Sequence, residues 1–363
     1  MPPLALRFHF ALPATHCPME TRVITPEFVP HPDTKEAVSE AVRLLQAGEV
    51  VARPTETVYG LAADALNPAA VAKIFEAKER PTFDPLIVHL PHKKDLPLVA
   101  EVPPEINAVL QKLTDRFWPG PLTIVLPKKP VVPDLVTAGM PSVAVRVSAN
   151  SIFKKVAQAL NRPLAAPSAN RFGSISPTSA NAVQAELDGR IPLIIDGGAT
   201  MHGLESTIIK IEPGTPKALI TILRPGPVTA EDLKLYGRVQ SLNRSVVDEA
   251  TEAPGQLASH YAPRTPLRLL ERPSDFIPEH GKRYALMSYR GEAKDGYLNL
   301  TDWVEVMMLS PGKGKLPEAA VRFFYILRAL DNLGVDEIIA EPLAEHGVGV
   351  AMMDRLRRAA MKY

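Results

Sequence analysis

Four cationic side chains occupy positions that a plain apolar core does not favour. Lys78 continues the apolar face of a helix, and Arg80 follows it by two residues, just before a proline. Arg146 lies inside the apolar run VAVRV, and Arg224 ends another apolar strand. Buried cations need a partner, and ligands of α/β proteins bind at the ends of strands. We therefore predict a pocket in which fixed cations bind phosphates and a carboxylate.

Lys78 and His89 each leave a structural and a functional interpretation open. The Lys78 stem could pack while its amine reaches water, or its charge could favour the helix C-terminus. The functional interpretation is that the amine points into a cleft and meets an anion. His89 closes an apolar strand, where a lone histidine is more often structural than catalytic.

Small polar residues cluster after several predicted strands, in the runs TET (residues 55–57), SAN (168–170), SISP (174–177) and EST (205–207). Each run alone could be turn or cap chemistry, but together they describe a pocket lined with hydroxyls and backbone amides. The sequence shows no recognisable nucleophile–base pair. It contains neither a Walker A motif nor G-x-G-x-x-G, so a nucleotide would bind by a less common route.

Length and composition limit the kind of protein. A chain of 363 residues is long enough for two domains. Its 41 Lys+Arg and 40 Asp+Glu residues nearly cancel, so overall charge indicates no polyanionic partner. The single cysteine excludes an intrachain disulfide and a cysteine-based zinc site. No apolar run approaches the roughly 18–20 residues of a membrane span, and the N-terminus is not typical of a signal peptide. We expect a cytoplasmic protein without membrane contact.

Hydrophobic periodicity and capping signals predict alternating helices and strands in the first part of the chain. A capping box at Asp33 begins one helix, which Gly48 ends, and Asn67 followed by Pro68 begins the next. Further helices are predicted over residues 151–160 and 179–187, and strands over residues 50–52, 86–88, 164–167, 191–195, 207–211 and 218–223. This order indicates an α/β domain with a mixed, twisted sheet.

The pattern also predicts how the chain divides. Residues 1–32 are an N-terminal extension, within which Met19 offers a second start, and residues 33–236 form the first domain. Residues 237–263 lose hydrophobic periodicity and are predicted to be a linker that closes as a lid. A smaller α/β unit follows over residues 264–363. Its predicted strands cover residues 284–287 and 337–340, and its predicted helices cover residues 318–333 and 351–360.

Seven runs, in order along the chain, resemble the Sua5/YrdC family of L-threonylcarbamoyladenylate synthases. They are RPTETVYGL (residues 53–61), KERP (78–81), PLIVH (85–89), WPGPLT (118–123), SAN (168–170), EST (205–207) and LRPG (223–226). The run HYAP (260–263) and the second unit resemble the longer, Sua5-type form. The resemblance covers about residues 34–363. It implies a YrdC-like domain with an open concave cleft, followed by a Rossmann-like Sua5 domain.

The resemblance also implies roles for individual residues. The catalytic pair is Lys78 and Arg80. The residues on the L-threonine side are Thr57, His89, Arg146, the Ala166 backbone and Ser206, with Arg146 binding the carboxylate. The residues on the ATP side are Arg80, Asp84, Ser142, Ser168, Asn170, Ser176, Arg224 and Tyr261. No protein metal ligands are implied, and Mg²⁺ is expected on the ATP phosphates.

The implied reaction joins L-threonine, bicarbonate and ATP. The threonine amine would attack CO₂ or bicarbonate, and the resulting carboxylate would attack the α-phosphorus of ATP and expel pyrophosphate. The product, threonylcarbamoyl-AMP, would serve threonylcarbamoyladenosine formation at position 37 of tRNA through downstream transferase machinery. Direct tRNA contact is not required. No covalent enzyme intermediate is needed, so the enzyme would act by positioning and electrostatic stabilisation.

This sequence departs from the family pattern at two places. The family usually has asparagine where this chain has Asp84, and a carboxylate near phosphates would repel them unless a metal or Arg80 compensates. Residues 256–259, before His260 and Tyr261, lack the basic and aromatic residues that are usual there.

Two other classes of function stay open. An RNA-binding module is one, although the near-zero net charge and 6% aromatic residues speak against a large RNA footprint. Carbamoyl transfer in the style of hydrogenase-maturation proteins is the other. Those proteins also carry zinc fingers, which the single cysteine excludes here.

Overall fold

A computed structural model describes residues 20–26, 32–242, 254 and 260–361 of the chain. Most of the predicted N-terminal extension, the capping side chain of Asp33 and residues 243–253 and 255–259 of the predicted linker lie outside this part. The described residues form two α/β units, each built around its own sheet. Among the described helices, none combines the length and apolar character that a membrane crossing requires.

The first unit consists of a long sheet with helices packed on it. Its strands are β1 (Arg22–Ile24), β2 (Val51–Pro54), β3 (Tyr59–Asp64), β4 (Ile87–His89), β5 (Leu122–Pro127), β6 (Ser142–Arg146), β7 (Leu164–Ala165), β8 (Leu193–Ile195), β9 (Thr207–Glu212), β10 (Leu219–Arg224) and β11 (Arg238–Ser241). Its helices are α1 (Pro32–Gln46), α2 (Pro68–Lys78), α3 (Leu96–Val99), α4 (Pro104–Phe117), α5 (Asp134–Thr137), α6 (Ser151–Leu160), α7 (Ala180–Leu187) and α8 (Ala230–Leu233).

The sheet is mixed, as predicted, and its strand order is β1-β8-β2-β3-β7-β4-β6-β5-β9-β10-β11. The strands β2 and β3 form an antiparallel hairpin, whereas β4 pairs parallel with β6 and β5 pairs parallel with β9. Strands remote in sequence become neighbours, such as β3 and β7. This order brings strand ends from distant parts of the chain to one place.

Two predicted segments contain regular structure that their sequences do not reveal. Arg22–Ile24, within the predicted extension, forms β1 and pairs parallel with β8. Arg238–Ser241, within the predicted linker, forms β11 and pairs parallel with β10. Both strands lie at sheet edges and expose most of their side chains. Backbone pairing rather than side-chain burial holds them, so they carry no apolar periodicity.

Capping residues set the ends of α2 as predicted. The Asn67 side chain accepts hydrogen bonds from two main-chain N–H groups of the first turn, and Pro68 is the first helical residue. At the other end Glu79 adopts a left-handed conformation, with φ of 53°. The helix therefore stops with Lys78 in its last turn and Arg80 just beyond it.

The second unit is a smaller parallel sheet with two long helices. Its strands are β12 (Leu267–Leu269), β13 (Tyr284–Ser288), β14 (Glu305–Met308) and β15 (Glu337–Ala340), and its helices are α9 (Leu316–Asp331) and α10 (Gly349–Ala360). The strand order is β12-β15-β13-β14, and each pair is parallel. The predicted second α/β unit is thereby confirmed.

The two units share an apolar cluster. Val58, Ile175 and Leu204 of the first unit belong to the same buried cluster as Phe323 and Phe324 of α9. Arg328 of α9 adds polar contacts, since its guanidinium donates to the carboxylate of Glu186 at 3.0 Å and to the carbonyl of Ile175 at 2.6 Å. The second unit is therefore packed against the first rather than tethered loosely to it.

Gly203 allows a close backbone approach between the units. A Cβ at this position would lie 2.3 Å from the carbonyl oxygen of Ala320 in α9, and its φ is +69°. We expect Gly203→Ala to destabilise the protein by about 1–3 kcal/mol more than Gly139→Ala, because overpacking adds to the backbone strain. Gly139 is a matched control, since it shares a positive φ of +79° but has no atom within 4 Å of a built Cβ. Equal shifts in the urea midpoint for both variants would contradict this packing.

Candidate active site

A pocket at the ends of β4, β6, β7, β9 and β10 collects most of the side chains that the sequence singles out. The predicted residues that line it are Thr57, Arg80, His89, Arg146, Ala166, Ser168, Ser206, Arg224 and Tyr261. The lining residues without a predicted substrate role are Thr55, Val58, Tyr59, Gly60, Ile87, Pro167, Glu205, Pro254 and His260.

Arg146 already has a carboxylate partner inside the protein. Its Nη2 donates to Glu56, and its Nη1 donates to the Thr57 hydroxyl at 3.2 Å. Burial raises the pKa of the Glu56 carboxyl, but Arg146 and the Ser148 hydroxyl outweigh burial and hold that pKa below its ordinary value. The charge of Arg146 is therefore compensated before any substrate arrives. The Arg146 Nε is buried, without a hydrogen-bond partner among the described residues.

Arg80 and Asp84 form a buried ion pair. The Arg80 Nη2 lies 2.8 Å from Asp84 Oδ2, with the two side chains 4% and 0% exposed. The contact is close but poorly aligned, so neither carboxylate oxygen has a hydrogen-bond partner within the described part of the chain. Burial raises the pKa of Asp84, and Arg80, Lys78 and Arg224 oppose that rise. Arg80 thus supplies the compensation that a carboxylate near phosphates needs.

Lys78 is buried and does not reach water, so the interpretation that its amine is solvated is wrong. Its side chain is 1% exposed, and its Nζ donates to the main-chain carbonyls of Ser168 and Asn170. Burial lowers the pKa of Lys78 well below its ordinary value, and Arg80 lowers it further. The amine does not line the pocket. Its two hydrogen bonds hold the main chain of the SAN run (residues 168–170) in place.

The other predicted residues lie beside the pocket rather than on its lining. The Asn170 amide donates to the carbonyls of Arg171 and Ser174, at 2.8 and 2.9 Å. The Ser176 hydroxyl donates to Glu205, which does line the pocket. Ser142 begins β6, at the opposite end of that strand from Arg146.

Arg224 and Ser206 form one connected group on the pocket floor. The Arg224 Nη2 donates to the Ser206 carbonyl at 2.9 Å and to the Ser206 hydroxyl at 3.2 Å. The same hydroxyl lies 2.8 Å from the hydroxyl of Thr123. The Arg224 Nη1 donates to the carbonyl of Pro254 at 3.3 Å. A residue of the predicted lid therefore contacts a predicted ATP-binding arginine.

Besides Arg146, three buried polar residues of the lining have hydrogen-bonding atoms without a partner among the described residues. His89 Nδ1, His260 Nδ1 and the Tyr261 hydroxyl have no hydrogen-bond partner in the part of the chain that the structure describes. Burial raises the pKa of Tyr261 to about 12, so its hydroxyl stays a donor at neutral pH. Buried polar atoms without partners cost folding free energy, and they are typical of ligand sites.

The buried histidines predict a loss of stability in mild acid. Burial lowers the pKa of both His89 and His260 well below the ordinary value, and nearby arginines lower it further. In the unfolded chain both titrate near 6.5, so below about pH 6.5 the unfolded state binds more protons. The stabilisation is complete above about pH 7 and is lost as pH falls toward 5.

The urea midpoint measured from pH 7 to pH 5 checks this expectation. Unfolding should take up as much as about one proton for each of the two histidines. His260→Gln should flatten the pH dependence, whereas His280→Gln, at an exposed position of the second unit, should not. A wild-type midpoint that does not change over this range would contradict the assignment.

Arg355, a fully buried side chain of the second unit, contacts the lining of this pocket. Arg355 of α10 is 0% exposed, and its Nε donates to Glu205 Oε2 at 3.2 Å. Its Nη1 donates to the carbonyl of Pro225 at 2.6 Å, and its guanidinium lies 5.4 Å from the ring centroid of Tyr261. The sequence did not reveal this residue, because Arg355, Arg357 and Arg358 together are typical of a solvated helix end.

Among the described residues, no group of three or more His, Cys, Asp or Glu side chains is placed to hold a metal ion. The pocket is therefore a collection of fixed cations, hydroxyls and unpaired polar atoms. Such a surface suits anions whose charge is distributed over several oxygens.

Comparison with known proteins identifies the fold and its family. The sequence pattern of the Sua5, YciO and YrdC proteins, described as "Telomere recombination", matches residues 43–226. The pattern described as "Threonylcarbamoyl-AMP synthase, C-terminal domain" matches residues 228–361. The threonylcarbamoyl-AMP synthase of Pyrococcus abyssi is 41% identical over 335 residues, which cover 88% of this chain and 93% of the relative. That of Bacillus subtilis is 39% identical, covering 89% and 92%.

A solved structure of a relative matches this fold over most of both units. The crystal structure of P. abyssi Sua5 complexed with L-threonine matches with a TM-score of 0.79 at 36% identity, covering 94% of this chain and 97% of that one. The match includes the small parallel sheet as well as the long mixed one. This chain belongs to the Sua5/YrdC family, in the two-domain form that carries the C-terminal domain of threonylcarbamoyl-AMP synthases.

Proposed function

We propose that this chain is a nucleotidyltransferase that makes threonylcarbamoyl-AMP from L-threonine, bicarbonate or CO₂, and ATP, with release of pyrophosphate. The observation that carries the proposal is its likeness to synthases of that name. The chain spans 93% and 92% of two such relatives, from an archaeon and a bacterium, at 41% and 39% identity. The correspondence therefore extends over whole proteins and includes both domains.

The threonine half of the pocket is assigned to residues around Arg146. Thr57, His89, Ala166 and Ser206 line the pocket with Arg146, and the relative from P. abyssi was crystallised with L-threonine. The unpartnered Nε of Arg146 and the unpartnered Nδ1 of His89 are polar atoms that an amino acid could satisfy.

The ATP half is assigned to residues around Arg80 and Arg224. Both line the pocket together with Ser168 and Tyr261. From outside the lining, Lys78 donates to the Ser168 carbonyl and Asp84 pairs with Arg80. Asn170 accepts from Lys78, and Ser176 donates to the lining residue Glu205. All of these ATP-side roles stay predictions, and for Ser142 no hydrogen bond or ion pair among the described residues links it to this group.

Mg²⁺ is expected to arrive on the ATP phosphates. Mg²⁺ is commonly bound by substrate phosphates, water and one or two carboxylates rather than by an all-protein cage. Asp84 lies outside the lining with its Oδ2 2.8 Å from Arg80 Nη2, so the ion would be held by the phosphates and water rather than by this carboxylate. The ion would neutralise phosphate charge.

The chemistry divides into two steps without a covalent enzyme intermediate. The threonine amine attacks the carbon of CO₂, or of bicarbonate with loss of water, and a proton leaves the nitrogen to give the carbamate. A carbamate oxygen then attacks the α-phosphorus of ATP, and the bond to the pyrophosphate oxygen breaks. Fixed cations stabilise the charge that develops, and the pocket aligns the reactants. The product is a mixed anhydride, which transferase machinery could deliver to tRNA without tRNA binding here.

Mass spectrometry of the purified protein with ATP, Mg²⁺, L-threonine and bicarbonate tests the proposal. The expected result is threonylcarbamoyl-AMP, together with pyrophosphate release that depends on threonine. Pyrophosphate release that ignores threonine, with no adduct, would refute the proposal. Salt-dependent RNA binding in place of turnover would favour the RNA-binding alternative.

A further inference from the structure

Arg53 is a buried cation to which no role has been assigned. It belongs to β2, and with Arg355 it is one of the two largest fully buried side chains of the described residues, with 0% exposure. Its guanidinium carbon lies 3.9 Å from the ring centroid of Phe153, in α6. All three guanidinium nitrogens lack a hydrogen-bond partner among the residues that the structure describes.

Arg53 lacks a carboxylate partner among the described residues, whereas three other buried arginines of the site each have one. Arg146 is paired with Glu56, Arg80 with Asp84, and Arg355 with Glu205. Burial alone lowers the pKa of Arg53, to about 9, and no carboxylate near it opposes that shift in the described part of the chain. A pKa of about 9 still leaves the group charged at neutral pH. The cation therefore contacts the Phe153 ring but has no counter-charge among the described residues.

The position of Arg53 places this charge behind the threonine half of the pocket. The ring of Phe153 contacts the guanidinium and also the ring of His89, at a centroid distance of 4.7 Å. His89 in turn lines the pocket. Arg53 and Arg146 act on the titration of His89, whereas Arg80, Lys78 and Arg224 act on that of His260. The pocket thus has two cationic halves, and Arg53 belongs to the half away from the phosphates.

An unpaired charge in the interior lowers the stability of the folded protein, and it is expected where function requires it. In the threonine half, Arg146 is largely neutralised by its own glutamate. The excess positive charge of this half therefore comes from Arg53. A negative ligand bound beside His89 would provide the missing counter-charge.

We propose that Arg53 is a positioning residue that acts through His89 to stabilise a carboxyl-type anion, bicarbonate or the threonine carboxylate, in the threonine half of the pocket. The proposal rests on the proposed function and names the group that binds its anionic reactant. Two unit charges separated by one side chain in a partly buried site interact strongly enough to change an equilibrium constant by on the order of tenfold.

Arg53→Met tests this, because it keeps the length of the side chain and removes its charge. We expect the Michaelis constant for bicarbonate or for L-threonine to rise about tenfold, while that for ATP stays within about twofold. We also expect the melting temperature to rise by about 2 °C or more, since an uncompensated buried charge has been removed. A higher melting temperature with weaker anion binding is a combination that a purely structural arginine cannot give.

Further variants and arms keep the test decisive. Arg53→Lys should restore most of the binding because it retains the charge. Arg53→Gln, which also removes the charge, replaces the methionine variant if that one does not fold. Arg43→Met, at an exposed arginine of α1 paired with Glu40, should change no constant. A change confined to bicarbonate assigns the anion to the CO₂ donor, and a change confined to threonine assigns it to the amino-acid carboxylate.

Binding of L-threonine and of bicarbonate by calorimetry, without ATP, separates this inference from the proposed function. Loss of product in the wild type would refute the proposed function alone if Arg53→Met still weakened either anion. Unchanged anion affinities and unchanged Michaelis constants in a folded Arg53→Met variant would overturn the inference alone. An equal rise in all three constants would overturn it as well.

Discussion

Replacing Arg146 by methionine is expected to abolish threonine-dependent formation of threonylcarbamoyl-AMP and to destabilise the fold at the same time. The two effects have one origin in the ion pair with Glu56, whose side chains are 3% and 2% exposed. Without Arg146 the Glu56 carboxylate keeps only the Ser148 hydroxyl and nearby backbone donors. Removing one partner of a buried ion pair typically destabilises a protein by about 3–5 kcal/mol.

A double variant separates the structural effect from the functional one. Arg146→Met combined with Glu56→Gln also removes the Glu56 charge that the single variant leaves unpaired. The urea midpoint of the double variant should therefore return most of the way to the wild-type value. Product formation should not recover, because the Thr57 hydroxyl and the pocket still lack the guanidinium. Stability by urea unfolding and product by mass spectrometry are read on both variants. A double variant with wild-type turnover would mean that Arg146 serves the fold alone.

The elements with local signals could be predicted from the sequence. The helix Ser151–Leu160 and the strand Glu337–Ala340 have the predicted bounds, and α2 begins at Pro68. Each carries its own cap, its own periodicity or its own flanking turn. The helix Pro104–Phe117 carried similar signals in Ile106, Leu110 and Leu113 but was missed.

The elements that depend on distant partners could not be predicted. The edge strands β1 and β11 bury little; β1 pairs with β8, which is remote in sequence, and β11 itself lies in a segment without an apolar pattern. The placement of β7 between β3 and β4 is likewise a property of the whole sheet. Backbone pairing of this kind leaves no periodic trace in the strand itself.

The candidate site shows the same division. A cation inside an apolar run is a sufficient signal for Arg146, and Arg53 carries a similar signal directly after the apolar residues 50–52. No local sequence pattern predicts which of these buried cations has a carboxylate partner. Glu56 neutralises Arg146, whereas Arg53 has no carboxylate among the described residues. Partner choice in a buried site is decided by the fold, so it appears only with the structure.

Replacing Lys78 by methionine is expected to lower the rate of product formation by about 10²-fold or more. Lys78 Nζ donates to the carbonyls of Ser168 and Asn170, and Ser168 lines the pocket. Methionine fills a similar volume but leaves two buried acceptors without their donor, and it removes a charge beside Arg80. We therefore expect Ser168 to shift in the ATP half of the pocket and the positive electrostatic potential there to decrease.

The measurement is steady-state release of pyrophosphate, with the Michaelis constants for ATP and threonine determined separately. Lys73→Met is the matched control on the same helix, because its side chain is 40% exposed and pairs with Glu49 outside the pocket. The control should keep wild-type rates. In the Lys78→Met variant the effect should fall on kcat and on the constant for ATP, with that for threonine nearly unchanged. Turnover within about threefold of the wild type would contradict a role for Lys78 in catalysis. Replacing a residue that only fills the core would change the melting temperature but not the rate.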